Sequence, residues 1–194
     1  LVELHEREIG LDETTAERRA ALHHALGRIY DKELGDPERA FEAWAEALRV
    51  DPMHEATVQT LEQIVAQRTA GDRAHAARAA EMLEGVYLTR LDWRKVMGAV
   101  EARLEGSEDP DERRELLRRL AKLHEEQEEN YRAALEVMAK LLAEDITDES
   151  TWSELERLAR VASAEDRLAE IYATELEKLG SDEPATARLA FRTG

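Results

Sequence analysis

Residues 33–52 read ELGDPERAFEAWAEALRVDP. Gly35-Asp36-Pro37 opens the stretch and Asp51-Pro52 closes it, with Ala40, Trp44 and Leu48 spaced between at helical intervals. An Asp just before a Pro supplies a side-chain acceptor at the N-cap and a ring suited to the first helical position. Asp109-Pro110 repeats that arrangement farther along. The stretch therefore reads as one helix with its own start and stop, and the question is whether it stands alone or is one tile among several.

Outward from it, apolar residues recur at three and four: Leu22, Leu26 and Ile29; Leu116, Leu120 and Leu123; Leu155 and Leu158. Period-two alternation is absent, so the fold class is all-α. The pattern predicts helices near 1–9, 14–34, 37–49, 54–69, 73–90, 93–105, 111–128, 131–143, 149–162, 164–179 and from 184 onward. Gly10, Gly35, Gly71, Gly106 and Gly180 fall near segment ends, where a left-handed residue lets a helix stop. Ser163 and Asp166 have the spacing of a capping box. Most connections are short, so successive helices are expected to pack antiparallel.

The chain also repeats itself. Shifted by 94 residues, 19–67 fall on 113–161 without a gap, matching Leu22 with Leu116, Leu26 with Leu120, Ala40 with Ala134 and Asp51 with Asp145. Shifted by 167, residues 1–27 fall on 168–194. Leu1 then corresponds to Leu168, inside a helix, and Gly194 to Gly27, also inside one. With no initiator Met, the chain is expected to be an excerpt of a longer array. Its repeat units run 14–52, 54–106 with an inserted helix near 69–91, 111–146 and 149–179, with partial repeats at both ends.

Leu26-Gly27 with Tyr30, followed by Ala40, Trp44 and Pro52, resembles the tetratricopeptide repeat (TPR). In that reading Gly27 and Ala40 are small where two helices approach closely, Tyr30 and Trp44 fill the volume beside them, and Pro52 ends the second helix. The turn at Gly35-Asp36 is one residue longer than the usual pattern. A second copy runs Leu120-Ala121, His124, Ala134 and Met138, with Ile146 where Pro is expected. A third begins at Trp152 and Leu155, and a fourth carries Leu83-Glu84 and Tyr87. The resemblance implies an α-solenoid, a right-handed TPR-like superhelix of antiparallel helix pairs. The Ala/Arg/Glu-rich style is similar to long bacterial repeat arrays.

Composition narrows the function. The 194 residues hold 27 Lys and Arg against 44 Asp and Glu, a formal charge of −17. Such a chain repels phosphate backbones, so no nucleic acid and no anionic membrane surface is expected as partner. No apolar run approaches the ~18 residues of a membrane span. The absence of Cys removes thiolate chemistry and fits a cytoplasmic protein, and equally a periplasmic one. His5-Glu6, His54-Glu55 and His124-Glu125 begin like a zinc-protease motif, but none has a second His four residues after the first. His23 and His24 are adjacent on a helix and point apart, so they do not share a metal. Glu125-Glu126 and Glu128-Glu129 read as solvated faces rather than acid/base dyads. No catalytic group and no cofactor or metal is expected. Tyr30, Trp44, Tyr87 and Trp152 are expected in the core, with Trp93 the aromatic least assured of burial.

What remains is a protein or peptide partner. In the family that the chain resembles, first helices line a concave groove. Two residues either side of Leu26, Leu61, Leu120 and Leu155 stand His24 and Arg28, Gln59 and Gln63, Arg118 and Lys122, Ser153 and Arg157. That row is polar to basic within an acidic chain and favours acidic or carboxylate-ended segments, unless neighbouring carboxylates occupy its cations. The carboxylate clamp of some family members needs Asn, and the sole Asn here, Asn130, falls at a turn. An interaction scaffold within a larger assembly leads. A passive spacer, or the regulatory arm of an enzyme whose catalytic domain lies elsewhere, remains open beside it.

Overall fold

The computed structural model describes residues 1–11, 14–67 and 72–179; among them the chain is helical, with no strand. The helices are α1 (Val2–Ile9), α2 (Ala16–Ile29) continued by a π-helical turn (Tyr30–Leu34), α3 (Pro37–Val50), α4 (Glu55–Ala66), α5 (Arg73–Arg90), α6 (Trp93–Gly106), α7 (Pro110–Glu128), α8 (Tyr131–Glu144), α9 (Glu149–Ala162) and α10 (Glu165–Leu179). They form two compact units, Leu1–Gly106 and Ser107–Gly194. Gly71, Gly180 and the helix expected from 184 lie outside the described residues.

Helix starts follow the capping chemistry. Asp36 Oδ1 accepts from the Arg39 N–H at 3.1 Å, and Asp109 Oδ1 from the Asp111 N–H at 2.9 Å. These bonds satisfy orphan donors in the first turn. Helix ends depart from the glycine expectation. Gly35 is left-handed at φ 62, but so are Leu91, Glu129 and Ser163, at φ 54, 51 and 48. Gly10 is right-handed at φ −75. Gly106 is small for another reason: a Cβ there would meet the Arg73 carbonyl oxygen at 2.5 Å, where the end of α6 lies on the start of α5. Ser163 does not cap α10, because its left-handed backbone serves to end α9. Ala164 instead begins α10, its carbonyl accepting from the Leu168 N–H at 3.1 Å. With only Ser163 and Ala164 between the two helices, reversing the chain takes precedence over capping.

In the first unit the core is built around Gly27 and Trp44. A Cβ on Gly27 would sit 2.2 Å from Trp44 Nε1, so only glycine lets α2 lie this close to the indole. Trp44, Ala40, Phe41 and Ala47 are buried beside it. Tyr30, expected in this core, is only partly covered, and so is Leu48. Tyr30 begins the π turn, and Arg39 at the start of α3 lies 5.7 Å from its ring centroid. The π turn runs into Gly35, whose left-handed backbone ends it. Helix α5 lies beside α3, with Arg78 over the Phe41 ring at 4.9 Å and paired with Glu38. Glu62 of α4 ties three helices together, accepting from Tyr87 of α5 at 2.8 Å and Lys95 of α6 at 2.7 Å. Arg103 of α6, partly exposed, pairs with buried Glu84 of α5 at 2.9 Å. Trp93 is half-buried.

The second unit repeats the hairpin arrangement. Arg113 at the start of α7 meets Glu144 at the end of α8 at 2.7 Å, so the two run antiparallel. Arg167 of α10 reaches Glu136 of α8 at 2.7 Å, as Arg78 of α5 reaches Glu38 of α3. Leu116, Leu120, Ala134, Leu135, Leu141, Leu142, Leu155 and Leu158 are buried between the helices. Trp152 is buried against Tyr172, with ring centroids 5.6 Å apart, and donates from Nε1 to the Ile146 carbonyl at 2.8 Å. By these contacts α5 holds beside α3 the place that α10 holds beside α8. Helix α6 has no equivalent among the described residues of the second unit.

Candidate functional site

Of the eight positions read from the sequence, the structure brings three together. Arg118, Lys122 and Arg157 line one cleft of about 590 Å³ between α7 and α9, with Ala121, Met138 and Leu158 as its apolar surface. Glu125, Glu126 and Glu154 line it too, so three cations face three carboxylates. Ser153 is exposed and turns back on its own helix, donating to the Glu149 carbonyl at 3.1 Å.

Each cation has a partner. Arg157 forms a two-pronged pair with Glu125 across the cleft, at 2.8 Å from Nη1 and 2.6 Å from Nη2, and Nε donates to Glu154 at 2.7 Å. Glu154 first and then Glu125 hold the guanidinium pKa above its already high ordinary value. Lys122 lies 3.7 Å from Glu126 one turn on, and both are exposed. Arg118 reaches across to Asp148, the N-cap of α9, at 3.0 Å. Asp148 also accepts from the Ser150 N–H at 3.0 Å, the Ser150 hydroxyl at 2.6 Å and the Thr151 hydroxyl at 2.8 Å. Those donors, the Ser150 hydroxyl foremost, hold its carboxyl far below the usual carboxylate range. A carboxylate that accepts several hydrogen bonds resists protonation.

The corresponding positions of the first unit have different surroundings from one another. Arg28 is exposed beside a shallow depression with Ala25, Ile29, Lys32 and Glu33. Gln59 donates to Glu55 at 3.3 Å, and Gln63 is exposed. His24 is drawn into a cluster that the sequence reading missed. His24 Nδ1 lies 3.3 Å and His54 Nδ1 2.8 Å from the hydroxyl of fully buried Thr57, with the two rings 5.6 Å apart. The signal was present in the 94-residue shift. His24, His54 and Thr57 fall on Arg118, Asp148 and Thr151, which make the same α2-to-α4 bridge between α7 and α9 with charged groups.

Among the described residues, no three His, Asp or Glu side chains are placed to hold a metal ion. No described helix is long and apolar enough to cross a membrane. No protein-family model matches the chain, and no curated protein matches it.

Proposed function

We propose that the chain is a TPR-like interaction scaffold whose second unit takes a segment of a protein partner in the α7–α9 cleft. The supporting observation is the cleft itself: a floor of almost wholly buried Ala121, Met138 and Leu158, flanked by Arg118, Lys122 and Arg157, each engaged by a carboxylate. Helix pairs stacked on their neighbours within each unit support the solenoid reading.

The pairing changes what the partner must offer. A carboxylate arriving at Arg157 has to displace Glu125 or Glu154, exchanging one ion pair for another with little net gain. Affinity then comes from an apolar side chain seated on the cleft floor at Met138, and the charges set orientation and selectivity. A segment with an apolar residue flanked by both signs of charge fits this surface. Partner binding, with no reaction catalysed, is the role that these groups support.

The test is a peptide array of acidic, basic, apolar and mixed-charge segments, read on the wild type and on Met138→Ala and Arg157→Ala. Mixed segments with a central apolar residue should bind best and weaken about tenfold or more in Met138→Ala, the loss of one buried side chain. Equal binding by both variants places the partner surface elsewhere. No binding by any class favours the spacer role.

A further inference from the structure

The His24–His54–Thr57 cluster joins α2 to the α3–α4 turn and α4 by an arrangement that depends on protonation. Thr57 has one hydroxyl proton and sits with two imidazole Nδ1 atoms, at 3.3 and 2.8 Å. With both rings neutral, the hydroxyl donates to one Nδ1 and accepts from the Nδ1–H of the other. Protonating the accepting ring makes both Nδ1 atoms donors and removes the acceptor of the Thr57 hydroxyl. It also puts imidazolium charge on half-buried rings against the fully buried Thr57.

The charges around the site do not relieve this. Arg28 from the same helix and His54 are the charged or titratable groups acting on His24, and both disfavour its protonated form. On α3, Glu46 and Arg49 face the adjacent His23. Glu8 of α1 is engaged by Arg18, Asp31 of the π turn by Lys32, and Glu55 of α4 by Arg90. The Asp51 carboxylate accepts from the Met53 N–H in the α3–α4 turn.

We propose that His24, His54 and Thr57 form an acid-sensitive latch, holding α2 on α4 at neutral pH and weakening in mild acid. The matching Arg118–Asp148–Thr151 bridge of the second unit stays closed under the same conditions. Burial first, then His54 and Arg28, lowers the His24 pKa to about 4. A base whose folded pKa is depressed leaves stability intact above its unfolded value near 6.5; it is lost as pH falls from there toward 4. In the second unit His124 Nδ1 lies 2.9 Å from Glu128 on the same helix and takes no part in the α7–α9 bridge.

Hydrogen exchange at pH 7 and pH 5, corrected for intrinsic rates, tests the latch while most carboxylates remain ionised. Opening of α2 and α4 amides should rise by about tenfold relative to those of α7 and α9, the size expected for one His desolvated to this degree. An equal response in both units, or none in α2 and α4, overturns the proposal. The double variant His24→Arg, His54→Asp installs the second unit's charges and should abolish the response; its persistence overturns the proposal too. An NMR titration of wild-type imidazoles requires no variant. His24 should remain neutral to about pH 5, and a midpoint near 6.5 refutes the latch.

Discussion

Residues 19–67 and 113–161 are built on one framework with two sets of polar contacts. Leu26 and Leu120, Ala40 and Ala134, and Leu61 and Leu155 are buried at matching positions. The turns agree atom for atom: Met53 N–H to Asp51 Oδ1 and Thr147 N–H to Asp145 Oδ1 are both 3.0 Å. Yet the first unit bridges α2 to α4 with two imidazoles and a hydroxyl, and the second bridges α7 to α9 with a guanidinium, a carboxylate and a hydroxyl. The apolar framework fixes where helices meet and leaves the chemistry at the meeting point open. The core differs by a matched exchange as well. Gly27 and Trp44 in one unit are Ala121 and Met138 in the other, because a rigid indole excludes a Cβ that a flexible thioether tolerates.

The comparison can be broken at its core first. Trp44→Ala should cost on the order of 3–5 kcal/mol, by chemical denaturation, with exchange protection lost mainly over α2 and α3. Uniform loss throughout both units would mean that they unfold as one. Gly27→Ala should cost about 1–3 kcal/mol by overpacking against the indole. Adding Trp44→Met to it recreates the second unit's pair, and the two changes together should cost less than their sum. Strict additivity would separate the two residues energetically.

The polar contacts come next. Asp148→Asn keeps shape but removes charge from the α9 N-cap, and should cost about 1 kcal/mol by thermal unfolding. A carboxylate with a depressed pKa contributes stability in full above its ordinary value near 3.8 and loses it as pH falls from there through the lower folded value. The wild-type second unit should therefore hold α9 down to pH 4, with the loss confined to stronger acid. The smallest effect concerns helix ends. Glu129 holds in α7 the left-handed position that Gly35 holds after α2. Glu129→Gly should stabilise by about 0.5–1 kcal/mol, and Gly35→Ala destabilise by about 1 kcal/mol. Opposite signs in a denaturant series would confirm that the two positions are equivalent.

Helix boundaries were legible in the sequence because Asp-Pro pairs and three-four spacing act locally. Helix ends were less so, since Leu91, Glu129 and Ser163 adopt a conformation that glycine is expected to fill. Their short connections impose the left-handed turn whatever residue stands there. Tyr30 was misplaced because a π turn begins at it, and residue spacing does not announce a change of helix type. In the candidate site, spacing from Leu120 and Leu155 located Arg118, Lys122 and Arg157 on one cleft, and helical spacing gave the local Lys122–Glu126 pair, but not the pairs made between helices. Asp148 and Glu125 lie about thirty residues from Arg118 and Arg157, beyond any local pattern. The His24–His54 pair was hidden for the same reason, and only the repeat offset, applied to side-chain contacts rather than to leucines, exposes it.

The two buried indoles also make the units optically distinct. Trp44 Nε1 lies against the Gly27 backbone with no hydrogen-bond partner among the described residues, whereas Trp152 Nε1 donates to the Ile146 carbonyl. An unbonded indole in an apolar surround emits at shorter wavelength than a bonded one. With half-buried Trp93 replaced by Phe, each unit would carry one tryptophan of its own colour, and a single emission spectrum would follow the opening of both.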